Sequence, residues 1–116
     1  MIIDSGKLQS DIMYALSDPH MYKILQSTAL SDKTTYEIIS EQKLPYSSAY
    51  KKIAELVKWG LLVSYIFEIV EGKRVAFYKS TFRSIKIDYD GSLKTTIEAE
   101  PNSDALDRIS MRFYDL

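Results

Sequence analysis

The chain has 116 residues and a mass of 13.4 kDa, a size that suits one domain. Its apolar fraction of 46% and charged fraction of 27% are ordinary for a globular protein and argue against global disorder. Cysteine is absent, which excludes disulfides, thiolate metal sites and a catalytic cysteine, and the single histidine disfavours a zinc site. We therefore expect neither a metal nor a cofactor.

Two features indicate where the protein acts. The longest strongly apolar stretch, residues 61–70, is too short to span a bilayer. The first six residues contain neither a basic segment nor a long apolar one, so they do not resemble a secretion signal. We therefore expect a cytoplasmic protein that has no membrane partner.

The net charge of −1 conceals an uneven distribution along the chain. Residues 1–42 hold three basic and six acidic side chains, residues 43–86 hold nine and three, and residues 87–116 hold three and seven. The middle segment therefore carries a charge of +6 between two acidic flanks. This pattern indicates a surface for a polyanion, although chance clustering on a solvated face would also produce it.

The first half of the sequence predicts helices. Apolar residues at helical spacing predict the first helix over about residues 7–17. Asp18 favours a second helix, because Asp is a strong N-cap and Pro19 loses no needed N–H at the first helical position. His20 falls in the first turn, where we interpret it as an exposed residue rather than a ligand or a catalytic group.

The next two helices are predicted from their ends. Thr34 and Glu37 match a capping box, which predicts a short third helix ending near Gln42. After a tight connection, Ser47 is the predicted N-cap of a fourth helix that ends near Trp59. Gly60 then stands where a left-handed C-terminal cap is needed. The apolar residues of the fourth helix share one face: Ala49, Ile53, Leu56 and Val57.

From Leu61 onwards the pattern favours strands. Residues 61–70 are rich in β-branched and aromatic side chains, Glu71-Gly72 indicates a turn, and residues 75–78 form the predicted return strand. A second hairpin alternates apolar residues on both sides of Asp90-Gly91. A two-residue loop would mix its faces, so we predict the three-residue loop 90–92, which pairs Tyr89 with Leu93 and Ile85 with Ile97. Pro101 ends this hairpin.

A last helix is predicted over about residues 103–114. Its apolar stripe could pack on the second hairpin within one chain, or across a two-fold axis against a second copy. We favour the homodimer, because two copies would place two DNA-reading helices about 34 Å apart, roughly one DNA turn. The predicted dimerisation residues lie in the first and last helices: Leu8, Ile12, Leu106, Ile109 and Phe113.

Three stretches together resemble a known family. They are residues 34–40 (TTYEIIS), 44–53 (LPYSSAYKKI) and 56–62 (LVKWGLL). Their order and spacing are similar to those of the ArsR-like winged-helix transcriptional regulators of the archaeal type, over residues 18–81. The resemblance implies dimerisation through terminal helices and an α+β winged helix-turn-helix fold. That fold has a three-to-four-helix core and a β-hairpin wing, about residues 7–81, within a single domain whose C-terminal hairpin and helix extend over about 82–116.

The same family often senses metals through Cys or His ligands. With no cysteine and one histidine, that property does not carry over to this chain, and a small-molecule effector stays unknown. The four glycines lie far apart and form no phosphate loop, and the only histidine lies in a helix start, so we expect no enzyme.

The fourth helix is the predicted DNA-reading element. An α-helix fits the major groove and its N-terminal half reaches the base edges, so we predict that residues 47–59 bind there and residues 70–75 meet an adjacent groove or backbone. Packing beneath the helix pair remains an alternative for Tyr46 and Tyr50. The predicted contacts of the helix region are Ser47, Ser48, Tyr50, Lys51, Lys52, Lys43 and Tyr46, and those of the hairpin are Lys73, Arg74 and Lys79.

The function predicted from these features is sequence-specific binding of double-stranded DNA as a transcriptional regulator. The alternative is a winged helix used as a protein-interaction module in a larger nucleic-acid-processing assembly, since one fold serves both roles. An interaction module need not keep basic residues of the fourth helix and the hairpin tip on one side.

Overall fold

The computed structural model describes residues 1–91 and 94–103, with residues 67–70 described by their backbone alone. These residues form an α+β fold with antiparallel sheets, as predicted. The described helices are α1 (Gly6–Ser17), α2 (Pro19–Ser27), α3 (Thr35–Gln42) and α4 (Tyr46–Lys58). The described strands are β1 (Lys33–Thr34), β2 (Leu62–Ile69), β3 (Lys73–Ser80), β4 (Phe82–Tyr89) and β5 (Thr95–Pro101). The predicted last helix, from residue 104 onwards, lies outside the described residues.

The starts of α2 and α3 follow the sequence predictions. The Asp18 carboxylate accepts hydrogen bonds from the backbone N–H groups of His20 and Met21, at 3.0 and 2.9 Å. The capping box of α3 is complete, because Glu37 N–H donates to the Thr34 hydroxyl and Thr34 N–H donates to the Glu37 carboxylate. Each cap satisfies donors that the first turn of a helix leaves without a backbone partner.

The predicted start of α4 at Ser47 is wrong. Pro45 is the N-cap, and its carbonyl accepts the first helical hydrogen bond from Ala49 N–H at 2.9 Å. Because the proline ring fixes φ in a range compatible with a helix entry, the helix starts directly after it, and Ser47 lies inside the first turn. Gly60, at φ +79°, ends the helix as predicted, and Leu61 N–H donates to the Leu56 carbonyl at 2.9 Å.

The first sheet has the strand order β1-β3-β2. Strands β2 and β3 pair from Leu62↔Ser80 to Ile69↔Lys73, so the return strand begins two residues before the predicted Val75. The turn between them, Val70–Gly72, contains the predicted Glu71-Gly72 pair. Strand β1 was not predicted, because two residues are too few to show a period of two. It pairs with β3 and leads directly into the cap of α3.

The second hairpin has a different register from the predicted one. Ile87 pairs with Ile97 and Tyr89 with Thr95, so residues 90–94 form the connection, and the predicted partner Leu93 lies outside the described residues. The error is a shift of two residues, which leaves every side chain on its predicted face. Alternating burial fixes the face, whereas contacts elsewhere in the chain fix the shift.

Those contacts come from both ends of the hairpin. The N-terminal segment runs along β5, where Ile3 N–H donates to the Ile97 carbonyl and Ala99 N–H donates to the Met1 carbonyl. After β5, Asn102 N–H donates to the Thr81 carbonyl at 2.8 Å. The side-chain amide of Asn102 also donates to the Ala29 carbonyl, just after α2, at 2.8 Å, so the end of β5 is joined to the helical part of the molecule.

One buried cluster contains residues from the helices, the first hairpin and the second hairpin. Ile12 of α1 and Ile97 of β5 are both fully buried in it. Ile12 was predicted to contact a second copy of the chain, but its side chain is used within its own core, so that prediction is wrong. Leu8 is half-buried and packs against the same cluster. Leu106, Ile109 and Phe113 lie outside the described residues.

Candidate nucleic-acid interface

Helix α4 separates its side chains into a buried and an exposed side. Ala49, Ile53 and Leu56 are at most 3% exposed and face the core. Ser47 and Lys51 are exposed on the opposite side, where the helical wheel predicts them. The packing of α4 therefore leaves its polar face available to a partner.

The entry to α4 is the most open part of this helix. Tyr46 and Tyr50, four residues apart on one face, are 59% and 57% exposed, so the alternative that they pack beneath the helices is wrong. Lys43, in the connection before α4, is exposed and has a left-handed φ of +54°. The N-cap Pro45 forms no side-chain cap hydrogen bond, and first-turn N–H groups of an uncapped helix are the kind of donors that bind phosphate.

Two side-chain contacts join the start of α2 to α4. The Lys52 ammonium lies 2.5 Å from the Asp18 carboxylate, and His20 Nδ1 lies 2.9 Å from the Ser48 hydroxyl. His20 is half-buried, so its predicted exposure is wrong, and both it and Ser48 are engaged with each other. The first turn of α2 therefore fixes how α4 is placed.

The ion pair changes the acidity of both partners. Burial alone would raise the pKa of Asp18, but hydrogen bonds from Lys52 and from the Met21 and His20 N–H groups outweigh it and lower this pKa. The hydrogen bond to Asp18 raises the pKa of Lys52, against the smaller opposing effect of burial. The Lys52 charge is largely neutralised within the chain, unlike that of its exposed neighbour Lys51, for which the described residues provide no ion pair.

The tip of the first hairpin is less basic than its two cationic residues suggest. Lys73 and Arg74 are exposed at the start of β3. Arg74 pairs in register with Glu68, and Glu71 lies in the turn itself, so the formal charges of the tip cancel.

Lys79 does not lie on an open surface. It is 6% exposed, in register with the buried Val63, and the next residue, Ser80, is 2% exposed. The end of β3 is thus covered on both faces because it enters the core beside α2. A phosphate cannot reach Lys79 in this conformation, so its predicted DNA contact is wrong.

Sequence reasoning missed the roles of Asp18 and His20 in placing α4. Their partners lie 34 and 28 positions away in the sequence, a separation that no local pattern reveals. Among residues 1–91 and 94–103, no group of three or more His, Cys, Asp or Glu side chains is arranged to hold a metal ion. Every helix in the same ranges is too short or too polar to cross a lipid bilayer.

Comparison of the sequence with protein-family models finds no match, and neither does a search of curated proteins. The function proposed next therefore depends on residue chemistry, on geometry and on the sequence resemblance described above.

Proposed function

We propose that this chain binds double-stranded DNA in a sequence-specific manner and acts as a transcriptional regulator of the winged-helix type. In this proposal α4 enters the major groove as the recognition helix, and the β2–β3 hairpin is the wing. The observation that carries the proposal is the open N-terminal half of α4, which presents Ser47 and Lys51 on the side opposite its buried face and an exposed Tyr50 on its flank.

These residue types suit base recognition. A lysine donates to guanine O6 and N7, a serine hydroxyl donates or accepts, and an aromatic ring packs against a thymine methyl group. The helix terminus adds backbone N–H groups and a partial positive charge toward a nearby phosphate. Lys43 and the hairpin cations Lys73 and Arg74 supply phosphate contacts, which position the helix without reading sequence.

The set of phosphate-binding cations is smaller than the sequence suggests. With Lys52 paired, Lys79 buried and Lys51 assigned to base recognition, Lys43, Lys73 and Arg74 remain as the predicted phosphate contacts. Each neutralised phosphate contributes about 0.9 to the slope of log K against log salt. Three contacts predict a slope of about −2.7.

A titration of a random duplex pool at several salt concentrations tests the proposal. We expect binding at low salt with a slope between about −2 and −3. Lys43→Ala should reduce the slope by about one, whereas Lys86→Ala, which removes an exposed lysine from β4, should leave it unchanged. Absence of binding to any duplex at low salt would instead favour the protein-interaction module.

A further inference from the structure

The outer edge of β4 lies open to another strand. Among the described residues, β4 pairs with β5 alone, and these two strands form a sheet separate from that of the first hairpin. The side of β4 that faces away from β5 therefore has no strand beside it from the described part of the chain. A strand edge of this kind accepts a further extended strand through backbone hydrogen bonds.

One row of side chains along β4 is apolar and only partly covered. Ile85, Ile87 and Tyr89 alternate along the strand, and register pairing places Ile87 on the same face as Ile97 of β5. Ile97 is fully buried, whereas Ile87 is 40% exposed and Tyr89 is 75% exposed. The core therefore covers this face at β5 and leaves it exposed along β4, where a further strand would extend the apolar row.

Two opposite charges occupy the other face of β4. Lys86 and Asp88 are both exposed, and neither forms an ion pair with a described residue. A charged side chain on an edge strand ordinarily keeps a second strand away, because pairing would remove the charge from water. The spacing of these two residues changes that outcome when the incoming strand is a second copy of β4.

A second copy of β4 matches this edge in one antiparallel register. A two-fold axis through an antiparallel strand pair places one residue opposite its own copy. When that residue is Ile87, Lys86 of each copy faces Asp88 of the other, and Ile85 of each copy faces Tyr89 of the other. Both faces then match, because opposite charges meet on one and apolar side chains meet on the other.

The neighbouring registers lack this match. With Lys86 or Asp88 on the axis, two like charges face each other, which is destabilising. With Ile85 on the axis, Asp88 faces the buried Phe82, and Lys86 faces an uncharged serine. The charges of β4 therefore select the register centred on Ile87.

We infer that two copies of this chain associate through their β4 edges, with Ile87 on the two-fold axis, to form the sheet β5-β4-β4-β5. This surface differs from the terminal helices to which the sequence analysis assigned dimerisation, and it does not depend on DNA binding. Because the contact is small, we expect it to form at protein concentrations of about 100 µM and above. In duplex and urea titrations at about 1 µM, the chain is then a single copy.

Disulfide formation tests the register, because the sequence has no cysteine of its own. In Ile87→Cys, each thiol lies opposite its own copy at a Cα separation of about 4.5–5.5 Å, which a disulfide can bridge. In Tyr89→Cys, the two thiols lie about 14 Å apart in the same register, which is too far. Tyr89 is also more exposed than Ile87, so random collisions would favour the control.

We expect Ile87→Cys, at about 200 µM with oxidised glutathione, to form the linked two-chain species at least about tenfold faster than Tyr89→Cys. A non-reducing gel or mass spectrometry measures the rate for each variant. Equal rates, or faster linkage of Tyr89→Cys, would overturn the inference.

Exchange of charges tests the pairing of Lys86 with Asp88. Asp88→Lys places like charges opposite each other twice in each dimer, so the dissociation constant from sedimentation equilibrium should rise at least about tenfold. Glu100→Lys is the matched control, because it makes the same change of charge at an exposed position of β5, away from the open edge. An equal mixture of Asp88→Lys and Lys86→Glu chains should regain association, since each copy then faces opposite charges on the other.

Three results of the sedimentation measurement would contradict the two-copy sheet. The first is a natural chain that remains a single copy at about 500 µM. The second is equal weakening by Asp88→Lys and Glu100→Lys, which would make the effect one of net charge. The third is a mixture of the two β4 variants that associates no better than either variant alone.

Discussion

At the residue scale, Asp18 joins two helices, α2 and α4. Its carboxylate caps α2 through two backbone N–H groups and forms an ion pair with Lys52 on α4. Its side chain is 16% exposed and that of Lys52 is 21% exposed, so solvent screens this pair less than an ordinary surface pair. The residue therefore stabilises α2, which it caps, and the placement of the candidate recognition helix.

Replacing Asp18 separates these two contributions. Asp18→Asn keeps an N-cap oxygen and loses the charge, so we expect the free energy of unfolding to fall by about 1 kcal/mol. Asp18→Ala also loses the cap and should cost about 2 kcal/mol. Urea denaturation measures both, with Asp88→Asn, at an exposed position of β4, as the control expected to change little. Equal losses for the Asn and Ala variants would mean that the cap contributes nothing.

The contribution of the Asp18 charge depends on pH with a defined sign. Because the folded-state pKa of Asp18 is below its ordinary value of 3.8, its stabilisation is present above that pH and is lost as the pH falls through the lowered pKa. Because the pKa of Lys52 is raised above its ordinary value of 10.5, the Lys52 ammonium stays charged throughout the pH range of this experiment. The stability difference between wild type and Asp18→Asn should stay constant from about pH 5 to 9 and narrow below about pH 4. A difference that persists unchanged at pH 2 would contradict this explanation.

Lys51 and Lys52 are adjacent in sequence but differ in their surroundings, which makes them a matched pair. Lys51→Ala should change sequence preference by about 1–3 kcal/mol between the best and a mismatched site. Lys52→Ala should lower stability and affect preference little, because its charge is engaged by Asp18. Selection of bound fragments from a duplex library measures preference for each variant.

Lys73 and Arg74 of the hairpin provide the opposite expectation, a loss of affinity without a change in sequence preference. Replacing Lys73 and Arg74 with Ala should weaken binding to all sequences about equally, since phosphate contacts carry no sequence information. A change of preference in the hairpin variant, with none in Lys51→Ala, would show that the two elements have the opposite roles.

At the scale of elements, the junction between α4 and β2 links the candidate recognition helix to the hairpin. Gly60 takes a left-handed φ of +79°, and the next residue, Leu61, is 1% exposed. The hydrogen bonds from Gly60 N–H to the Val57 carbonyl and from Leu61 N–H to the Leu56 carbonyl close the last turn. The direction in which β2 leaves α4 is therefore set by a conformation that glycine adopts without a steric cost.

Gly60→Ala should lower the free energy of unfolding by about 1–2 kcal/mol. An added Cβ would meet no atom within 4 Å, so the cost comes from the backbone conformation alone. Gly6→Ala is the matched control, because it also has open space for a Cβ but lacks a left-handed φ. Thermal or urea unfolding of both variants checks the prediction, and an equal effect of the two would contradict it.

At the scale of the whole molecule, the second hairpin shares the core of the helices instead of forming a separate unit. Ile97 is fully buried in the common cluster, whereas its register partner Ile87 is 40% exposed. Backbone hydrogen bonds from Ile3 and Asn102 hold this hairpin from both sides. We therefore expect the hairpin and the helices to unfold together.

Ile97→Ala should lower the free energy of unfolding by about 2–5 kcal/mol, because it leaves a cavity in the shared core. Ile87→Ala, at the exposed position of the same pair, should cost less than about 1 kcal/mol. Urea denaturation followed by tryptophan fluorescence reports on Trp59, at the C-terminal end of α4. An Ile97→Ala variant whose Trp59 signal unfolds at the wild-type midpoint would show that the hairpin is a separate cooperative unit.

Local patterns predicted most of the elements. The caps at Asp18 and Thr34, the glycine at 60 and the turn at residues 71–72 each depend on neighbouring residues, and each is present as predicted. The polar side of α4 also followed from its own periodicity. These features are local because a cap or a turn is stabilised by atoms within a few positions along the chain.

Contacts between residues far apart in the sequence decided the features that local patterns did not predict. The sequence by itself determined the order of the four helices and the two hairpins, the buried face of α4 and the exposed Ser47 and Lys51. Only the tertiary structure paired Lys52 with Asp18, buried Lys79 beside Ser80 and shifted the second hairpin by two residues. The physical reason is that periodicity fixes which face a side chain occupies, whereas its partner on that face depends on which distant segment packs there.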